Sequence, residues 1–170
     1  MSAWSDGGTA HAPSTALAHR DRFTELRHSA GVIDAAVLSD LWDELEPVDA
    51  RDVLGTWRGF AFDTGHPVGE LLVRSSWYGK EFVSLADAKP LVCRGEGGEL
   101  FSDVVAGKGE ASLWNVEFRG VVTASMVYDG QPVVDHFKRV DERTLMGVMN
   151  GKAKWVLADG QHFWFGLERA

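Results

Sequence analysis

Three short pairs, Asp129-Gly130, Asn150-Gly151 and Asp159-Gly160, stand between runs rich in β-branched and aromatic residues. Asn or Asp followed by Gly suits the two positive-φ positions of a tight hairpin turn, which makes such a pair the strongest short-range hairpin signal. A succession of hairpins builds an antiparallel meander. Its free edges are removed by closing the sheet into a barrel or folding it into a sandwich. The expected strands are residues 112–119, 121–128, 131–140, 144–149, 154–157 and 162–167, with shorter ones at 81–84 and 91–94. Residues 96–98 and 106–109 are expected loops.

Upstream the period is different. Residues 1–20 are rich in Ser, Gly, Ala and Thr without periodicity, the composition of a disordered tail. Residues 22–30 suit a short helix. In 32–45, Ile33, Val37, Leu38, Leu41, Trp42 and Leu45 recur at helical spacing, with Asp34 as N-cap. At Val53 the pattern changes to a strand, 53–62, interrupted by Gly55 and Gly59; residues 67–77 then suit a helix opening on Pro67. The expected fold is mainly β: an antiparallel β-barrel with N-terminal helices and one helix after the first strand. One domain is expected over 21–170, with a helical lead at 21–47 and a barrel at 52–170.

Charge and cysteine content narrow the partners. The formal net charge of −8 disfavours nucleic acid or an anionic membrane as partner, and the scattered Lys and Arg form no basic stripe. The single cysteine, Cys93, allows no intramolecular disulfide and no thiolate metal site; beside Leu91 and Val92 it suits a small buried hydrophobe. No run approaches the roughly 20 apolar residues of a membrane span. The start of the chain lacks a signal-peptide pattern, so a cytoplasmic location is expected. No phosphate-binding Gly loop, HExxH, CxxC or GxSxG occurs, so no cofactor or metal is expected. Seven Trp and nine Phe are many rings for 170 residues; rigid rings fill cores and line apolar pockets.

Two clusters can carry chemistry. The first is Gly55-Thr56-Trp57-Arg58-Gly59, where two glycines let a strand bend and Trp57 either plugs one end or lines a pocket. The second is Tyr128 to Asp141. Strand alternation puts Val133, Asp135, Phe137 and Arg139 on one face, and Val134, His136 and Lys138 on the other. Whichever face is inward, a polar group goes in with it, at a cost of several kcal/mol unless paired. Asp135 and His136 are therefore acid–base candidates, and Tyr128 and Lys80 candidates to steady a developing oxyanion. Trp57, His66, Trp77, Met126, Phe137 and Arg139 are candidate ligand contacts. The plainer alternatives are core packing, a structural ion pair and surface exposure.

The chain resembles a bacterial and fungal family named for its GXWXG motif, followed by a domain of unknown function. The likeness runs from the Val53 strand to Ala170 and includes Gly65-His66-Pro67, Trp77-Tyr78-Gly79-Lys80, Tyr128-Asp129 and Pro132-Val133-Val134-Asp135-His136-Phe137. After Met149, where the family pattern has an acidic residue, this chain has Asn150. The resemblance implies a lipocalin-like barrel and says little about activity. The Gly-x-Trp start is also similar to lipocalins and to haem-binding nitrobindins.

The expected function is binding of a small apolar ligand, fatty-acid-like, terpenoid or aromatic, inside the barrel. The alternative is a cofactor-independent isomerase, lyase or hydratase acting on an apolar epoxide, ketone or alkene. A second alternative is haem binding through a barrel His such as His136 or His162. The expected partners are the small molecule and, at most, a second copy in a homodimer.

Overall fold

The computed structural model describes residues 15–170. Two helices lead, α1 (Thr15–His28) and α2 (Ala35–Glu44). A short strand β1 (Glu46–Pro47) and a 3₁₀ turn (Ala50–Val53) follow. Next come β2 (Gly55–Ala61), α3 (Pro67–Arg74), β3 (Trp77–Ser84), β4 (Asp87–Arg94) and β5 (Leu100–Ser102). The remainder is β6 (Ala111–Phe118), β7 (Val121–Tyr128), β8 (Val133–Asp141), β9 (Thr144–Gly151), α4 (Ala153–Val156) and β10 (Phe163–Arg169). The segment expected as a tail overlaps α1 from Thr15; its residues 1–14 lie outside the described residues.

The strands form one ring-like antiparallel sheet. Its path runs β8-β7-β6-β4-β3-β2-β10-β9 and returns to β8, so the mainly β architecture is as expected. Closure leaves few edges for unwanted pairing. The ring is tight except between β4 and β6, which share a single residue pair, Ala88 with Ala111. Beyond that pair β4 is joined instead by β5, at Val92–Ser102, Cys93–Phe101 and Arg94–Leu100. Residues 103–109 follow β5 and return the chain to β6.

Alternation on β8 explains the two cores. Val133, Asp135 and Phe137 face the ring interior, where Val133 and Phe137 pack with Trp57, Phe82, Met126 and Phe165. His136, Lys138 and Val140 face outward yet are also buried. The helical lead covers them: Phe23, Leu38, Leu41 and Trp42 pack on Val140, Met146, Val148 and Trp164. Four residues of α2 (Ala35, Leu38, Leu41 and Trp42) form its buried stripe, and Asp34 caps it by accepting from Ala36 N at 2.9 Å. Lys138 secures the other end, donating from Nζ to Trp42 O at 2.9 Å.

Several boundaries differ from expectation. Residues 154–157 are not a strand; Ala153–Val156 is a single helical turn. Asn150-Gly151 is not a turn either, for both residues pair within β9, with Val134 and Val133. Gly is needed at 151 for closeness: a Cβ there would stand 2.1 Å from Pro132 O. Tight turns with positive φ at a residue followed by Gly occur instead at Arg119-Gly120, with φ of 54° and 79°, and at Asp159-Gly160, with φ of 49° and 76°. The helix expected over 67–77 stops at Arg74; Ser76 has φ of 53°, and Trp77 opens β3. The first long strand starts at Gly55, because 50–53 form the 3₁₀ turn.

Candidate functional site: a cavity with a buried ion pair

One end of the ring is closed. Trp57 is buried there, its Nε1 donating to Val53 O at 2.8 Å, with the Arg169 guanidinium 4.3 Å over its ring. Arg169 itself donates to Leu54 O at 2.8 Å and Asp52 O at 3.1 Å. Gly59, the last glycine of the motif, carries the Trp77 ring; a Cβ there would stand 2.1 Å from it.

Elsewhere a half-open cavity of about 550 Å³ lies between the ring and the segments α3, 103–109 and α4. Small-molecule pockets span about 300–1,000 Å³ and are mostly apolar with few polar groups. Its wall includes Leu72, Leu91, Val133, Met149, Phe163 and Phe165. Its polar centre is Lys80, Tyr128 and Asp135, three residues contributed by β3, β7 and β8. Lys80 Nζ donates to Asp135 Oδ2 at 2.8 Å and to Pro90 O at 3.3 Å. Tyr128 OH donates to the same Asp135 oxygen at 3.3 Å. The Lys80 and Asp135 side chains are 4% and 3% exposed, so this pair is not screened by solvent. The ammonium also stands 5.1 Å from the Phe165 ring centre and 5.6 Å from that of Trp77. Burial, and then the Asp135 charge, push the Tyr128 phenol well above its ordinary value. Asp135 Oδ1 is buried and has no hydrogen-bond partner among the described residues.

His136, the neighbour of Asp135, faces the other way. It lies under the helical lead, stacked on Phe118 at 4.5 Å. Its Nδ1 is 2.7 Å from Ser125 Oγ and its Nε2 3.1 Å from Asn150 Nδ2. Ser125 Oγ donates to Thr123 O at 3.0 Å, so the consistent arrangement has Nδ1–H donating to Ser125 and Asn150 donating to Nε2. Burial, and then nearby His162, lower the His136 pKa to about 4. The imidazole is therefore neutral at neutral pH and does not line the cavity. His162 is likewise outside it, its Nδ1 on Met149 O at 2.8 Å, so neither histidine offers the cavity an axial ligand for haem iron.

The structure thus brings together Lys80, Tyr128, Asp135 and Trp77 from the expected set. Phe137 and Met126 are inward but packed deep in the core, and neither lines the cavity. Arg139 lies at the closed end, 3.9 Å from Asp52. His66 caps α3 through Nδ1, which accepts from Val68 N at 3.2 Å, and donates from Nε2 to Val156 O at 3.1 Å. It therefore ties α3 to α4 beside the cavity. Cys93, expected as a small buried hydrophobe, is buried and lines the cavity. Phe163 and Phe165 are not among the ligand contacts expected from the sequence, although alternation in 163–167 places both inward with Leu167. No group of three or more metal-ligating side chains occurs among the described residues.

Fold and cavity together define a β-ring protein with a helical lead outside and an apolar, ion-paired hollow inside. By sequence the chain belongs to the GXWXG protein family: residues 40–98 match the GXWXG model and 109–169 the domain of unknown function DUF4334. A similar solved structure is the crystal structure of a protein from Thermomonospora curvata. It is 35% identical with a TM-score of 0.79, and the match covers 90% of this chain and 99% of that one. No curated protein matches the chain.

Proposed function

We propose that the cavity binds a small, mostly apolar, uncharged molecule that carries one hydrogen-bond donor, such as an alcohol. The observation that carries this is Asp135 Oδ1, a buried carboxylate oxygen without a donor beside an apolar hollow. Leaving such an acceptor unsatisfied costs about 1–3 kcal/mol, more for a charged group. The terminal torsion of Asp is soft, so a small turn of the carboxyl offers that oxygen to a guest. Lys80 already balances the Asp135 charge, which favours a neutral donor over an ammonium. A carboxylate head would meet a like charge at Asp135.

The test is displacement of a fluorescent apolar probe by 1-decanol, decane, decanoic acid and decylamine. Decanol is expected to bind about tenfold more tightly than decane, the value of one good hydrogen bond. That preference should vanish in the double variant Lys80→Met/Asp135→Leu. Equal affinity for decanol and decane in the parent protein would refute the assignment.

A further inference from the structure

Three segments frame the opening of the cavity: α3, the 103–109 loop and α4. Leu71, Ala106 and Trp155, one from each, line it. Each segment also exposes a large apolar side chain, Leu71 at 59%, Val105 at 84% and Trp155 at 48%. Each carries cations beside that tip: Arg74 on α3, Lys108 on the loop, Lys154 on α4 and Lys152 just before it. Lys108 Nζ stands 5.3 Å over the Trp155 ring, so the loop and α4 are in contact. Two acids share these segments, and both are engaged. Glu70 pairs with Arg74, and Asp103 Oδ1 accepts from Ala106 N at 2.9 Å. Asp129 is exposed and adjoins the loop, its Cβ 3.5 Å from where a Cβ at Gly109 would stand, so its carboxylate counts against the rim's positive charge. Four cations against these three acids leave the rim a small positive excess on a chain whose formal charge is −8.

We propose that this rim docks on an anionic lipid bilayer. Leu71, Val105 and Trp155 enter the headgroup boundary, and Lys108, Lys152 and Lys154 face the lipid phosphates. Tryptophan favours the membrane interface because one part of the ring system is apolar and the other can be wet. Lysine adds attraction to anionic headgroups while its stem lies along apolar surface. The acidic remainder of the molecule is repelled by such a surface, so charge together with the exposed apolar tips favours the orientation with the cavity opening toward the lipid. A second copy fits this rim less well, since an isologous contact would set the same cations against each other. No helix among the described residues is long and apolar enough to cross a membrane, so the contact is peripheral.

The test is co-sedimentation of the full chain with phosphatidylcholine vesicles, with and without phosphatidylglycerol, at low and high salt. Binding is expected only with phosphatidylglycerol, and salt should weaken it. Lys152→Gln/Lys154→Gln should lower the partition coefficient by about 30-fold. Val105→Asp should bring it to the level of pure phosphatidylcholine. These side chains are exposed, so an unchanged Tm confirms that each variant is folded. Absence of binding to both vesicles overturns the proposal, as does binding indifferent to phosphatidylglycerol or to both variants. A dimer lost in Val105→Asp, with vesicles unbound, assigns the rim to a second copy and also overturns it. The assay needs no guest in the cavity, so its failure and that of the ligand assignment are separate results.

Discussion

Replacing Lys80 by Met removes one ammonium and little volume, and tests how the cavity centre is held. At 2.8 Å, with an effective dielectric constant of about 20, the pair attracts by about 6 kcal/mol. Desolvating the two charges offsets much of that, so the intact pair is close to neutral for stability. The single variant is different. It leaves Asp135 buried, with Oδ1 unpartnered and only the 3.3 Å bond from Tyr128 on Oδ2. An uncompensated buried charge of this kind costs about 3–5 kcal/mol. For a chain of this length the loss corresponds to a Tm lower by about 10 °C. The double variant Lys80→Met/Asp135→Leu removes both charges and should return to within about 1 kcal/mol of the parent, or exceed it. Urea unfolding followed by tryptophan fluorescence reads all three proteins, since Trp42, Trp57 and Trp164 are buried. A single variant within about 1 kcal/mol of the parent, or a double variant as damaged as the single, would show that Lys80 does not compensate a buried Asp135 charge.

Three further outcomes follow from the packing. His136 titrates near 4 when folded, against its ordinary 6.5, so the unfolded chain takes up its proton first as pH falls. Stability from this group is complete above pH 6.5 and is lost toward pH 4, by up to about 3 kcal/mol; His66 shifts in the same direction, and His136→Asn should flatten the slope measured by urea unfolding. Gly59→Ala sets a methyl into the Trp77 ring and should cost about 1–3 kcal/mol by the same assay, with a changed near-UV spectrum. Leu72→Trp, at a half-buried cavity-wall position, should block probe binding while leaving the unfolding midpoint within about 1 kcal/mol of the parent.

Much of the scaffold could be read from residue order because it depends on local rules. Asp34 and the spacing of Leu38, Leu41 and Trp42 specify α2, and alternation in 133–140 separates Asp135 from His136. Four residues around Trp155 are too few to show a period, so α4 read as a strand. Asn150-Gly151 has the sequence of a turn, but its glycine serves the close approach of Pro132. For the site, alternation tells which face a residue takes but not its depth along the ring. Lys80, Tyr128 and Asp135 meet in the cavity, whereas Trp57, Met126 and Phe137 are equally inward and end in solid core. The burial of His136 was hidden for another reason. It depends on a helix roughly a hundred residues earlier covering the outside of the sheet.

The central claim is that the ring holds a guest whose donor reaches Asp135. Crystals soaked with a long-chain alcohol test it directly. Density for the alcohol is expected among Val133, Met149 and Phe165, with its hydroxyl within hydrogen-bond distance of Asp135 Oδ1. A hollow closed by its own side chains, or an alcohol bound with its hydroxyl away from Asp135, would contradict it.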